Sequence, residues 1–353
     1  MAPSTRSAFV AFASAAVVVA QQSTVTFPAT PLNQLVFPHP TDAPYQIYGP
    51  NDPIQYVRGP QTGYNICNST TEGQSSMCQT MYVNGLDDFC LWGPPAANSL
   101  IADTEGEEVA WCVKSGYGTR RIQDGLFKSV QLLKTSEYYM IVGTIDQTLI
   151  NIQSTDSGGE LDSGGQDERG NPIGGLVYST IWETNNLPTQ IEHWTEFIGN
   201  NQFCIKVCNP NGTNPDGYCQ HTLDRIGLGY NCPSKYTVGG NVPANGDFEI
   251  CDSDLMMVPG LYVQNGQTLS YSQPPESLGQ ITTIPYQPSL VSSSNCQTFS
   301  SAALFTGLAS PTSGASSAAP TGASASGTHA SASASASGSR TGSAQGSSAT
   351  GVG

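Results

Sequence analysis

Between about residues 56 and 300, the hydrophobic positions fall in short, dense blocks. The clearest are 136–153 (SEYYMIVGTIDQTLINIQ), 176–183 (LVYSTIWE) and 202–207 (QFCIKV), rich in β-branched and aromatic residues. Gly, Pro, Asn and Asp clusters punctuate them, as turn residues do between strands. Apolar spacing of helical period is scarce, and the best short candidate runs from Cys219 to Gly227. The pattern predicts a mainly β chain, a disulfide-stabilised antiparallel sandwich-like body with long loops. A doubly wound or barrel α/β fold would need repeated helices of about 10–15 residues, and this pattern has none.

The ends read differently. Ala8 to Ala20 is an unbroken small and apolar run behind a single charge, Arg6, and Gln21-Gln22 follows at once. This predicts a secretory signal peptide over 1–20, cleaved after Ala20. The run is too short for a membrane span, which needs about 20 residues. Residues 21–55 hold seven prolines, which fix φ and remove donors, so an extended Pro-rich arm or partly ordered linker is expected there. From Ala309 onward, 39 of 45 residues are Ser, Ala, Gly or Thr. Such a stretch has almost nothing to bury, so a disordered tail is expected over 301–353, of a composition that suits an O-mannosylated stalk. No hydrophobic tail of the ~10–20 residues that a GPI signal uses is present, so if Gly353 is the true end, the chain is expected to be released or held in the wall by glycan rather than lipid-anchored. The expected organisation is therefore leader 1–20, arm 21–55, body 56–300 and tail 301–353.

Export changes how the cysteines are read. Cys67, Cys78, Cys90, Cys112, Cys204, Cys208, Cys219, Cys232, Cys251 and Cys296 make an even set in a chain bound for an oxidising compartment, which predicts five disulfides. Their segregation suggests one bridged cluster in 67–112, with 67–78 and 90–112 as local pairs, and another in 204–296. Zinc is disfavoured because neither a CxxC pair nor an HxxxH partner accompanies them. The sequons at Asn68 and Asn211 are candidate N-glycan sites beside cysteine-rich turns. Twenty-seven acidic residues against twelve basic ones give a net charge of −15. With no Lys/Arg cluster, that balance excludes nucleic acid and anionic membrane surfaces as partners.

Candidate chemistry centres on the loop 154–175 (STDSGGELDSGGQDERGNPIGG). Asp156, Glu160, Asp162 and Asp167, with Glu168, stand among glycines that would let oxygens converge, so the loop is a candidate calcium site in a chain otherwise expected to hold no cofactor. Asp-Ser-Gly-Gly occurs twice there, at 156–159 and 162–165. An aspartic protease needs such turns from separate halves of the chain, and a serine protease needs a positioned histidine; neither requirement is met. Glu183, Glu192 and Glu196, near Trp182 and Trp194, could form a glycosidase pair if two of them stood about 5–10 Å apart. Glu192 and Glu196 would share a face only on a helix. His193 and His221 are candidate metal or haem ligands, with a hydrogen-bonded structural role as the plainer alternative. The sequence contains no Walker loop, GxSxG or HExxH.

Several stretches in order, CNSTTEGQSSMCQT (67–80), DDFCLWGPP (87–95), DTEGEEVAWC (103–112), GTIDQTLINI (143–152), GNPIGGLVYS (170–179) and FCIKVC (203–208), resemble the basidiomycete macrophage-activating glycoprotein family. The resemblance covers about 55–300 and implies a secreted fungal glycoprotein of undefined activity, without a catalytic residue to carry over. Where that family's glycine loop reads Asp-Pro-His-Gly-Ala-Asp, this chain has Asp162-Ser163-Gly164-Gly165-Gln166-Asp167, so Gly164 stands in place of the histidine. The expectation is a secreted, extracellular or cell-wall protein, a non-catalytic binding or structural surface component with cell-wall polysaccharide or a host surface as partner. The alternatives are a wall-remodelling glycoside hydrolase and a metal- or haem-binding mannoprotein.

Overall fold

A computed structural model describes residues 27–52, 56–184, 187–238 and 246–310. The expected leader, the tail beyond 310 and parts of the Pro-rich arm (21–26 and 53–55) lie outside the described residues. Two sheets and a small hairpin organise the rest. The first sheet contains β1 (Thr80–Gly85), β2 (Asp88–Gly93), β3 (Val109–Cys112), β4 (Arg120–Arg121), β8 (Leu176–Thr184) and β9 (Leu187–Gln190), in the order β4-β3-β2-β1-β8-β9. The second contains β5 (Phe127–Lys134), β6 (Tyr138–Ile145), β7 (Gly159–Asp162), β10 (Trp194–Gly199), β11 (Gln202–Cys208), β12 (Phe248–Ser253) and β15 (Ser293–Phe299), in the order β15-β12-β5-β6-β11-β10-β7. The hairpin is β13 (Leu261–Gln264) and β14 (Gln267–Ser270).

The two sheets share one core. Phe89 of β2 packs its ring on Phe127 and Phe203 of the second sheet, and Trp92 meets Trp194, with centroids 5.3, 6.2 and 5.8 Å apart. The mainly β, sandwich-like expectation therefore holds. It is less uniformly antiparallel than the pattern suggested: β1 with β8, β3 with β4, and β5 with β12 run parallel. In the first and third of these pairs the strands are separated by long stretches of chain, which gives each second strand room to return in the same direction.

The continuous apolar runs at 138–145 and 202–208 have a simple cause: the central strands of the second sheet are buried on both faces. Along β11, Phe203, Ile205 and Val207 enter the sandwich, while Cys204, Lys206 and Cys208 point the other way under a loop layer. Disulfides pin that layer to the sheet. Cys204–Cys232 and Cys208–Cys219 fasten it to β11, and Cys251–Cys296 staples β12 to the exposed edge strand β15. Cys67–Cys78 and Cys90–Cys112, the two expected local pairs, complete the set, and the latter joins directly opposed residues of β2 and β3. All ten cysteines are bonded.

Three local expectations change. Strand character in 136–153 stops at Ile145, because Asp146 accepts the Thr148 amide and starts a 3-10 turn, Gln147–Ile150. The helical candidate 219–227 lies between short turns, Pro215–Tyr218, Asp224–Ile226 and Leu228–Asn231, held by bridges rather than by helical periodicity. The body also continues past 300: Phe305 is buried with its ring 4.7 Å from that of Phe127, and Ala309 exchanges backbone hydrogen bonds with Ile122 and Asp124. The described part of the arm lies on the body, burying Leu32, Ala43 and Tyr48 against Ile173, Leu176 and Tyr178. Among the described residues no helix is long and apolar enough to cross a membrane.

Candidate functional site

The acidic loop builds a clamp for the N-terminal arm. Asp167 receives Arg58 through Nε (3.1 Å) and Nη2 (2.6 Å), and Arg169 through Nε (3.0 Å) and Nη2 (2.8 Å). Burial pushes the Asp167 pKa up, but the hydrogen bonds and charges of the two guanidiniums outweigh it and hold it below the ordinary value. Arg169 also donates to the Gly59 carbonyl at 2.7 Å and lies 4.0 Å from the Tyr56 ring centroid. The Leu32 amide donates to the Glu168 carbonyl. This one loop thus grips the chain at 32 and at 56–59.

The four residues proposed for calcium are not gathered about one centre. Asp156 accepts the amides of Ile101 (2.8 Å) and Gly158 (3.0 Å), while Asp167 belongs to the arginines. Only Glu160 and Asp162 are neighbours, alternate residues on one face of β7. Burial first, then the charge of Asp162, drives the Glu160 pKa far above its ordinary value. Asp162 accepts the amides of Gly164 (2.5 Å) and Gly165 (2.7 Å), and His221 Nδ1 stands 3.5 Å from its carboxylate. A Cβ at Gly164 would fall 2.6 Å from the ring of His221, which comes from the disulfide-tied layer and fills that space.

Beside this pair runs a sealed polar seam. Thr195 faces Asp162 on one side and Lys206 on the other, and Lys206 is wholly buried. Its Nζ donates to the Asn231 carbonyl at 2.7 Å and sits 6.0 Å from the Tyr138 ring. Burial lowers its pKa to about 7, opposed by the charge of Glu160. With Thr195 and Lys206 wholly buried, the bond from Lys206 to the Asn231 carbonyl fastens the loop layer to the sheet.

The glycosidase trio is dispersed. Glu183 is exposed and Glu192 half-buried, whereas Glu196 is wholly buried in the sandwich, where it accepts the Trp92 amide at 3.0 Å. The segment is strand rather than helix, so Glu192 and Glu196 do not share a helical face. His193 lies 3.6 Å from Asp216. Among the described residues, the one set of three ligand-type atoms within 4.8 Å of one another is Glu249, Cys251 and Cys296, and those two sulfurs are bonded to each other. Asn68 and Asn211 are both exposed, and the Asn68 carboxamide accepts the Thr70 amide and hydroxyl at 2.9 and 2.7 Å.

An open cleft of about 510 Å³ lies elsewhere, between the β13–β14 hairpin and residues 285–289. The hairpin turns at Asn265-Gly266, both at positive φ (52° and 75°), the pair such a tight turn favours. Tyr262 stacks on Tyr286 with centroids 5.1 Å apart and planes 3° from parallel, and Tyr230 meets Tyr286 edge-on at 5.2 Å. The Tyr286 hydroxyl accepts the Gly260 amide (3.1 Å), and the Tyr230 hydroxyl donates to the Tyr286 carbonyl (3.1 Å), so both rings are fixed. Among the described residues lining the cleft, none carries a charge. Sequence reasoning missed it because these tyrosines are spread over more than fifty positions. The enrichment of Tyr, Pro and Gln in 230–288 was the available signal.

Comparison with known proteins finds two relatives from Mycosarcoma maydis. The appressorium protein ROW1 is 38% identical over 242 residues, 68% of this chain, and the chain spans about half (52%) of ROW1's length. The appressorium protein ROW2 is 36% identical over 242 residues, covering 66% of this chain and 79% of ROW2. No family model and no solved structure matches.

Proposed function

This chain belongs to the family of the fungal appressorium proteins ROW1 and ROW2, and on that premise we propose that it is an exported component of the fungal cell surface, in the wall or the extracellular space, that works by binding or as structure rather than by catalysis. The observation that carries this reading is the use to which the fold puts its polar groups. Asp167 clamps the arm, Asp156 and Asp162 cap backbone amides, Glu196 is sealed in the core, and five bridges staple strands and loops together. Bridged cysteines belong to chains that pass through an oxidising compartment. The expected leader at 1–20 and the Ser/Ala/Gly/Thr-rich tail point the same way, as does the resemblance to the macrophage-activating glycoproteins. Fractionation of a fungal culture expressing the full chain tests it. The chain is expected in the culture fluid or wall fraction, with an N-glycosidase mobility shift that disappears when Asn68→Gln and Asn211→Gln are combined. Retention in the cytosol would contradict the proposal.

A further inference from the structure

We infer that the tyrosine cleft between the β13–β14 hairpin and residues 285–289 is a binding site for a neutral polysaccharide, a glucan or chitin chain. This rests on the reading of the protein as a surface binding component and assigns that role to one place. Three features select the ligand. The described lining carries no charge in a chain of net charge −15, so it offers no cation to hold a uronate or phosphate and sits in a field that repels them. Tyr262 and Tyr286 form a stacked step of aromatic rings, the kind of surface on which the apolar C–H face of a pyranose can lie. The polar side chains along the rim include Gln264, Gln287 and Ser289, each of which donates and accepts, as sugar hydroxyls do. Tyr262 and Gln264 are alternate residues on β13 and so share a strand face, placing stacking surface and amide together. The cleft is preorganised: the hydrogen bonds of Tyr286 and Tyr230 fix the rear wall before a ligand arrives, and the Cys204–Cys232 bridge anchors the segment carrying Tyr230. Prolines in the lining, Pro285 and Pro288 among them, make an extended Pro-rich peptide the rival occupant.

The test is a binding titration of the full chain with four probes: β-glucan oligosaccharide, chitin oligosaccharide, polygalacturonate and oligoproline. Binding of at least one neutral glycan and of neither other probe is expected. Tyr262→Ala should weaken it by about tenfold or more, while Tyr262→Phe, which keeps the ring, should stay within about twofold. Thermal melts of both variants serve as the folding control, and Tyr262 is partly exposed, so neither should unfold. Glycan binding that Tyr262→Ala leaves intact overturns the site while the surface-binding reading stands. Oligoproline binding lost in Tyr262→Ala overturns the ligand class. Wild-type chain that binds none of the probes overturns the inference altogether, with localisation in the fractionation experiment deciding separately whether the surface reading survives.

Discussion

Asp167→Ala is expected to cost the fold about 3–5 kcal/mol, because it strips a buried carboxylate from two arginines at once. Arg169 is wholly buried and Arg58 largely so, and each would keep only carbonyl, carboxamide or ring partners. The damage should concentrate where the loop grips the chain. Hydrogen exchange across 27–59 should accelerate well before the sandwich strands change, since the arm's buried residues pack on Ile173, Leu176 and Tyr178 rather than into the inter-sheet core. Urea unfolding followed beside peptide-resolved exchange measures both. A loss below about 1 kcal/mol, in the range of a surface ion pair, would show that the clamp does not hold the arm.

The second large effect is a stability maximum in mild acid. Burial raises Glu108, Glu160 and Glu196 well above the ordinary 4.5, and pushes the half-buried Glu105 to about 7. A raised carboxyl keeps its proton in the folded state while the unfolded chain releases it above about pH 4.5, so its stabilisation is complete below that value and is lost as pH rises. Each fully buried group contributes a slope of about 1.4 kcal/mol per pH unit until it ionises. Asp167 acts in the opposite sense: its pKa is lowered, and its contribution is lost as pH falls through that lower value. Lys206, lowered to about 7, gives a contribution that rises with pH only above that point, so it does not offset the loss between about 4.5 and 7. Thermal melts should therefore peak near about pH 4–5 and fall toward neutrality. Glu196→Gln should flatten the slope by one proton, about 1.4 kcal/mol per pH unit. Melting temperatures that stay level or climb from pH 4.5 to 7 would refute this assignment.

Much of the architecture was legible in the residues. The blocks at 176–183 and 202–207 became β8 and β11 almost to the residue, because their β-branched and aromatic side chains pack on both faces of sheets. The local cysteine pairs were legible from proximity. The role of the acidic loop was not: Arg58, which neutralises Asp167, lies 109 positions away, so the loop by itself resembles a cation site. The same holds for Glu196, whose neighbour Trp92 is 104 positions off. Local sequence could place it near aromatics but could not show it inside the sandwich. The body runs past the expected tail boundary at 301 because Leu304 and Phe305, a small apolar signal before a long polar stretch, close one end of the core.

The most direct test of the central claim, a chain exported and covalently stapled outside the cell, is a non-reducing peptide map of the native protein after thiol alkylation. The account predicts recovery from outside the cell, no alkylated cysteine, and five linked pairs: 67 with 78, 90 with 112, 204 with 232, 208 with 219, and 251 with 296. Protein recovered from the cytosol with its ten cysteines alkylated would contradict it.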